Sequence, residues 1–259
     1  MSGLDRKIVL ITGGSGGIGE AIARSFARQR CRVAIAARHQ GNLAATADRI
    51  AQDGAEVLAI ACDVSRREQV KSLAAEITRR WGAVQILINN AGIAHAASFA
   101  DMPDALWDET LATNLTGAYN CCKVFLPAMI QARWGRIINI GSTTAKVGYS
   151  HVTAYTASKH GLLGLTRSLA LETARQGVTV NAICPGYIND ERTCENARVM
   201  AENTGKNSVE ILKIFAASAP QNRLIEPDEV ASLALLIASE KLGGMTGQAI
   251  NVDGGAVMV

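Results

Sequence analysis

Tyr155 and Lys159 stand four residues apart in Ala154-Tyr-Thr-Ala-Ser-Lys159. On a helix that spacing puts both side chains on one face. A free phenol ionises near pH 10, and an ammonium beside it would stabilise the phenolate and make Tyr155 a workable acid and base near neutral pH. The pair alone is common on helix surfaces, so its weight comes from company. Near the amino terminus, Thr12-Gly13-Gly14-Ser15-Gly16-Gly17-Ile18-Gly19 contains Gly14-x-Gly16-x-x-Gly19. Between a strand and a helix, such glycines let the backbone turn sharply and let a pyrophosphate approach the helix N-terminus, where free N–H groups and the helix dipole favour negative charge.

Readers of NAD usually carry an acid about 20 residues further on, at the end of the second strand, for the ribose 2′-hydroxyl. Here Ala37 stands there, followed by Arg38 and His39. A guanidinium suits bidentate phosphate binding, which favours NADP(H) as cofactor. Nothing in the segment repels NAD(H), which stays open.

The elements that must position these groups read as alternating strands and helices. Strands are expected at 7–12, 32–37, 56–64, 85–89, 136–140, 178–184 and 249–252. Helices are expected at 17–28, 40–52, 66–81, 104–133, 153–176 and 226–239, with Pro127 ending or bending the fourth. The stretch 187–221 reads as polar and irregular, with helical patches. Fully apolar strands alternating with helices indicate a parallel sheet covered on both faces. The expected fold is α/β, a doubly wound parallel seven-stranded Rossmann sheet, with 1–259 forming one domain.

Composition narrows the classes further. Aromatics are 4% and the net charge is +3, which argues against an aromatic nucleic-acid platform or a concentrated basic face. No run approaches a bilayer span, and the four apolar residues Ile8–Ile11 are too few for a signal-peptide core, so no membrane partner and a cytoplasmic location are expected. The six cysteines (31, 62, 121, 122, 184, 194) form no CxxC and read as small buried hydrophobes. The histidines (39, 95, 151, 160) form no HExxH, so no catalytic metal is expected.

Taken in order, Thr12-Gly13-x-x-x-Gly17-x-Gly19, Asp63-Val64, Asn89-Asn90-Ala91-Gly92, Asn114, Ser142, Tyr155-x-x-x-Lys159 and Pro185-Gly186 resemble the short-chain dehydrogenase/reductase family over nearly the whole chain. The resemblance implies that Tyr155 delivers a proton to the substrate oxygen and that Ser142 positions that oxygen. It gives Lys159 the nicotinamide ribose and the lowering of the Tyr155 pKa, and Asn114 a water linking Lys159 to solvent. It assigns cofactor contacts to Gly13, Ser15, Gly17, Ile18, Gly19, Arg38, Tyr155 and Lys159, with the 2′-phosphate at Ser15 and Arg38. It further assigns the adenine to Asp63 with Val64 beside it, the adenosine ribose and central cleft to Asn90, Ala91 and Gly92, and the nicotinamide to Pro185, Gly186 and Ile188. One position departs: where family members often carry Thr after Pro-Gly, this chain has Asp190.

Within that family the chain most resembles 3-oxoacyl-[acyl-carrier-protein] reductases, through Trp134-Gly-Arg-Ile-Ile-Asn-Ile-Gly-Ser142, Glu172–Asn181 and Asn251-Val-Asp-Gly-Gly255. That implies NADPH-dependent reduction of a 3-oxoacyl thioester, linked to acyl carrier protein or coenzyme A. Arg133 and Arg175 stand where such reductases dock the acidic carrier, although a solvated surface explains them equally well. The segment 187–221 would be the substrate lid, and His95 and His151 are candidate pocket residues that also fit exposed or packed positions. The family also implies a homotetramer through the helices near 104–131 and 153–176 and the last strand. Two alternatives remain: a dehydrogenase of another secondary alcohol, such as a 3-hydroxy acid, sugar or cyclic alcohol, and a dinucleotide-binding regulator without catalysis.

Overall fold

A computed structural model describes residues 3–259. Seven parallel strands form one sheet: β1 (Ile8–Thr12), β2 (Arg32–Ala37), β3 (Val57–Ala61), β4 (Ile86–Asn89), β5 (Gly135–Ile140), β6 (Val178–Pro185) and β7 (Ala249–Val252). Their order is β3-β2-β1-β4-β5-β6-β7. The chain winds outward from β1 in one direction and then from β4 in the other, which leaves a crevice between their carboxyl ends. The helices are α1 (Gly17–Ala27), α2 (Gln40–Ala51), α3 (Arg67–Trp81), α4 (Asp104–Leu111), α5 (Gly117–Gln131), α6 (Thr153–Thr173), α7 (Glu191–Thr204), α8 (Ser208–Ala217) and α9 (Pro227–Ala238). No helix among the described residues is long and apolar enough to cross a membrane.

Each strand feeds two cores because successive side chains point to opposite faces. Val9 and Ile11 of β1 join Ile22 and Phe26 of α1, Leu43 and Ile50 of α2, and Val230 and Ile237 of α9. Ile8 and Leu10 join Val70, Leu73 and Ile77 of α3 with Phe125 and Met129 of α5 on the other face. Burying one such side chain fully is worth about 1.5–3 kcal/mol, so the register of β1 is strongly specified.

Two expectations are corrected. Pro127 does not end its helix: α5 runs through it to Gln131. The hydrogen bond that proline cannot make would go to the carbonyl of Lys123, and both residues lie on the solvent side. The real interruption in 104–133 is a π turn at Ala112–Thr116 between α4 and α5. In addition, 187–221 is more ordered than helical patches suggest. It holds the whole of α7 and α8, packed around Ala197, Ala201, Ile211 and Phe215, with Asn207 and Glu210 forming a capping box at the start of α8.

Candidate active site

The glycine turn is built by close approach. Gly13 has φ +64° and Gly17 φ +51°, both left-handed values that favour glycine. A Cβ on Gly19 would lie 2.2 Å from the Gly13 carbonyl oxygen and 2.6 Å from Asn90 Nδ2. Gly16 caps α1 without any side-chain hydrogen bond, so the first N–H groups of the helix stay available to an anion. Ser15 is half-buried and its carbonyl is held by the Thr46 hydroxyl at 3.3 Å. Ile18 packs onto the core beneath.

The neighbouring turn after β4 is locked to this one. Thr12 Oγ1 accepts the N–H groups of Asn90 and Ala91, each at 3.1 Å. Asn90 Nδ2 donates back to the carbonyls of Thr12 (3.0 Å) and Gly13 (2.9 Å). These bonds hold the two sides of the crevice at fixed separation.

The adenosine side follows the order of the strands. Arg38, one residue past β2, is exposed and pairs loosely with Glu109 at 3.4 Å. An exposed pair of this kind is worth little and is readily given up to a phosphate. Asp63 uses Oδ1 to accept the Ser65 N–H (2.9 Å) and hydroxyl (2.7 Å), which leaves Oδ2 for a ligand donor. Val64 is buried against Gly117. The cradle, the free helix N-terminus and the cation past β2 together fit a phosphorylated dinucleotide.

Ser142, Asn114, Tyr155 and Lys159 converge at the same end of the sheet. Ser142 lies two residues past β5 and its Oγ accepts the Thr144 N–H at 3.2 Å. The Cys184 thiol, itself pushed up by burial, takes the Ser142 backbone N–H from behind. α6 carries Tyr155 and Lys159 and is anchored by a buried chain: Asn89 Nδ2 to Asn139 Oδ1 (2.8 Å), and Asn139 Nδ2 to Thr166 Oγ1 (2.8 Å). That chain joins β4, β5 and α6, so the helix cannot rotate without leaving buried polar groups unpaired.

Asn114 sits inside the π turn, a feature frequent at functional sites. Its Oδ1 accepts the Ile93 N–H at 2.8 Å, and its Nδ2 donates to the Ile93 carbonyl (2.9 Å) and Ser158 Oγ (3.0 Å). Gly92 lies between Asn114 and Lys159: a Cβ there would meet Asn114 Oδ1 at 3.2 Å and Lys159 Nζ at 3.7 Å.

Lys159 Nζ donates to the Ile140 carbonyl at 2.7 Å and lies 5.5 Å from the Tyr155 ring centroid. This differs from the expected electrostatics. Burial pushes the Tyr155 phenol above its ordinary pKa, against the Ser142 hydrogen bond and the positive charge of Arg192, which both lower it. The same burial, with Arg192 again, brings Lys159 down to about 8. Desolvation therefore dominates at the phenol, and the lowering influences on it are Ser142 and Arg192 rather than the Lys159 ammonium.

At the far wall, Pro185 and Gly186 close β6, with Gly186 held to the Val252 carbonyl at 3.0 Å. Ile188 is buried in a single parallel bridge to Ile225. Two features here were not legible in sequence. Arg192 in the first turn of α7 acts on both Tyr155 and Lys159. Tyr187 stacks on Phe215 at 4.3 Å and 4° between rings, lining a small pocket with Tyr149 and Thr143. The place of Tyr187 directly after Pro-Gly was the only signal for the second.

Other candidates fall elsewhere. His95 and His151 are both exposed; the His151 carbonyl accepts the Ala97 N–H at 2.8 Å, so the two loops adjoin. Arg133 Nη2 donates to the Arg175 carbonyl at 3.0 Å. These residues precede β5 and β6, at the amino end of the sheet, opposite Tyr155. Within one chain they do not flank the catalytic cleft.

The family model described as short chain dehydrogenase matches residues 7–200. The chain belongs to the short chain dehydrogenase family. It is an NAD(P)-dependent oxidoreductase of that family, working between alcohol and ketone. A putative ketoacyl reductase of Streptomyces coelicolor is 35% identical over 257 residues, covering 98% of each chain. A D-beta-hydroxybutyrate dehydrogenase of Cupriavidus necator is 36% identical over 256 residues, covering 98% of this chain and 99% of the other. Among solved structures, a tryptophan variant of actinorhodin polyketide ketoreductase with NADPH superposes with TM-score 0.94 at 35% identity, covering 99% of each chain. Membership of this family favours an enzyme over a dinucleotide-binding regulator, and Ser142, Tyr155, Lys159 and Asn114 lie together at the carboxyl end of the sheet.

Proposed function

We propose that this dehydrogenase is an NADP(H)-dependent reductase of 3-oxoacyl thioesters. The observation that carries it is the convergence of Ser142, Tyr155 and Lys159 at the carboxyl end of β5, beside a phosphate cradle. The dinucleotide, when bound, supplies or accepts the hydride. The chain's own residues handle the oxygen. Ser142 and Tyr155 hold the substrate carbonyl, and the Tyr155 hydroxyl gives its proton to that oxygen. The Lys159 ammonium, brought down to about 8 by burial, steadies the phenolate, and the phenolate's proton would be restored from solvent through Lys159 and a water beside Asn114. Tyr149, Tyr187 and Phe215 line a small pocket with Thr143, the residue after Ser142.

The thioester reading is supported by the relative named as a ketoacyl reductase; in this chain's substrate the attached group would be acyl carrier protein or coenzyme A. The relative named as a hydroxybutyrate dehydrogenase supports a second reading, oxidation of a 3-hydroxy acid. Steady-state rates with NADPH on 3-oxoacyl thioesters, free 3-oxo acids and simple ketones separate them. The first reading expects the thioester to have the highest kcat/KM, and its failure to turn over at all would sink it. A homotetramer fits the exposure of Leu171 on α6, at 83%, and the open β7 edge of the sheet.

The NADP(H) reading is supported by Arg38, by the absence of an acid at the end of β2, and by the NADPH in the ketoreductase structure. Arg38→Ala is expected to raise the KM for NADPH by about ten-fold or more, since a charge-assisted contact to a phosphate is lost. The KM for NADH should stay within about two-fold on the same reasoning. Equal effects on both cofactors would remove Arg38 from the 2′-phosphate.

A further inference from the structure

Where the chain leaves Gly186 toward α7, the family resemblance implies a hydroxyl and the sequence supplies Asp190. Its half-buried carboxylate is engaged on both sides. Oδ1 accepts the Thr193 N–H at 2.9 Å and caps α7. Oδ2 reaches across the crevice to the glycine turn, 2.8 Å from where a Cβ on Gly17 would stand. Gly17 is the first residue of α1. A carboxylate oxygen thus already lies at the positive end of the helix whose N–H groups a pyrophosphate needs.

The contact is held in place from behind. Asn189 donates to the Ile225 carbonyl and Ile225 donates to the Tyr187 carbonyl, each at 2.8 Å, while Asp190 N–H donates to the Ile188 carbonyl at 3.0 Å. Thr193, whose N–H completes the cap, is buried. Asp190 therefore cannot swing away from the turn without uncapping α7 or breaking the bridge to Ile225.

We infer that Asp190 competes with the dinucleotide's pyrophosphate for the N-terminus of α1 and so loosens the enzyme's hold on its cofactor. This rests on the cofactor reading above. Pyrophosphate and carboxylate carry the same sign, and in a partly desolvated crevice like charges repel appreciably. A hydroxyl or amide at this position would leave α7 capped and remove the repulsion, because Asn and Thr also serve as N-caps.

The test is calorimetric titration of the wild type, Asp190→Asn and Asp190→Thr with two ligands. NADPH carries both the pyrophosphate and the 2′-phosphate; adenosine 2′-monophosphate carries only the latter. Both variants should bind NADPH about ten-fold more tightly, the size expected from removing one like-charge contact. Both should bind adenosine 2′-monophosphate within about two-fold of the wild type, since that ligand leaves the α1 N-terminus alone. NADPH binding that is unchanged or weaker in both variants would overturn the inference while leaving the cofactor reading intact. Equal tightening of both ligands would overturn it too, since the effect would belong to the charge of the whole cleft. A wild type that binds neither NADPH nor NADH would overturn the cofactor reading and this inference together.

Discussion

Tyr155→Phe is expected to lower kcat for ketone reduction by about a thousand-fold, within the range that loss of a positioned general acid produces. The substitution removes one oxygen and leaves the half-buried ring in place, so α6 and the Asn139–Thr166 anchor should persist. The NADPH Kd should stay within about two-fold, because the proposed phosphate contacts lie on α1 and past β2, away from the phenol oxygen. That split matters. A structural role for Tyr155 would move melting temperature and cofactor affinity along with kcat, whereas a proton donor moves kcat alone. Since burial raises the phenol's pKa, Tyr155 stays protonated at neutral pH, the form that reduction needs.

Gly19→Ala should be the most damaging small change outside the catalytic set. A methyl group there would stand 2.2 Å from the Gly13 carbonyl and 2.6 Å from Asn90 Nδ2. Neither neighbour can yield cheaply. Gly13 is backbone in a left-handed turn, and Asn90 Nδ2 is committed to two carbonyls. α1 must therefore retreat from the turn. Overpacking of this kind costs about 1–3 kcal/mol, which for a chain of this size lowers Tm by roughly 5 °C. The NADPH Kd should weaken by about ten-fold or more, since the helix N-terminus is displaced from the phosphate. Gly16→Ala is the control. A Cβ at Gly16 meets nothing within 4 Å, so its Tm should hold, and thermal melts of the two variants side by side check the contrast.

Much of the fold was legible because parallel strands buried on both faces leave a plain apolar signature, as in Ile8–Ile11 and Val178–Cys184. The glycine turn was legible because Gly13 and Gly17 have torsions, and Gly19 contacts, that only glycine tolerates. What was not legible depends on long-range packing or on a small change in helix winding. The π turn holding Asn114 has no composition of its own; Ala112–Thr116 reads as ordinary helix. The order of 191–217 was understated because α7 is mostly polar, although Asn207-x-x-Glu210 marked the start of α8 and Asp190-x-x-Thr193 the start of α7.

The electrostatics of the site were the least accessible. Four-residue spacing placed Lys159 beside Tyr155, and the two do share a face. Spacing could not show that the ammonium would be drawn to the Ile140 carbonyl, or that burial would raise the phenol. Nor could it show that Asp190 and Gly17, at opposite ends of the dinucleotide-binding crossovers, would meet. Arg192 was likewise invisible, since a charged residue in a polar stretch reads as solvated until the first turn of α7 is placed over the reacting pair.

The most direct test of the central claim is the fate of deuterium from NADPH dideuterated at nicotinamide C4, followed by mass spectrometry of the product from a 3-oxoacyl thioester. The account predicts one deuterium on the new carbinol carbon with the wild type, and the same labelled product at about a thousandth of the rate with Tyr155→Phe. A hydroxyl product without deuterium at that carbon, or an undiminished rate in Tyr155→Phe, would contradict it.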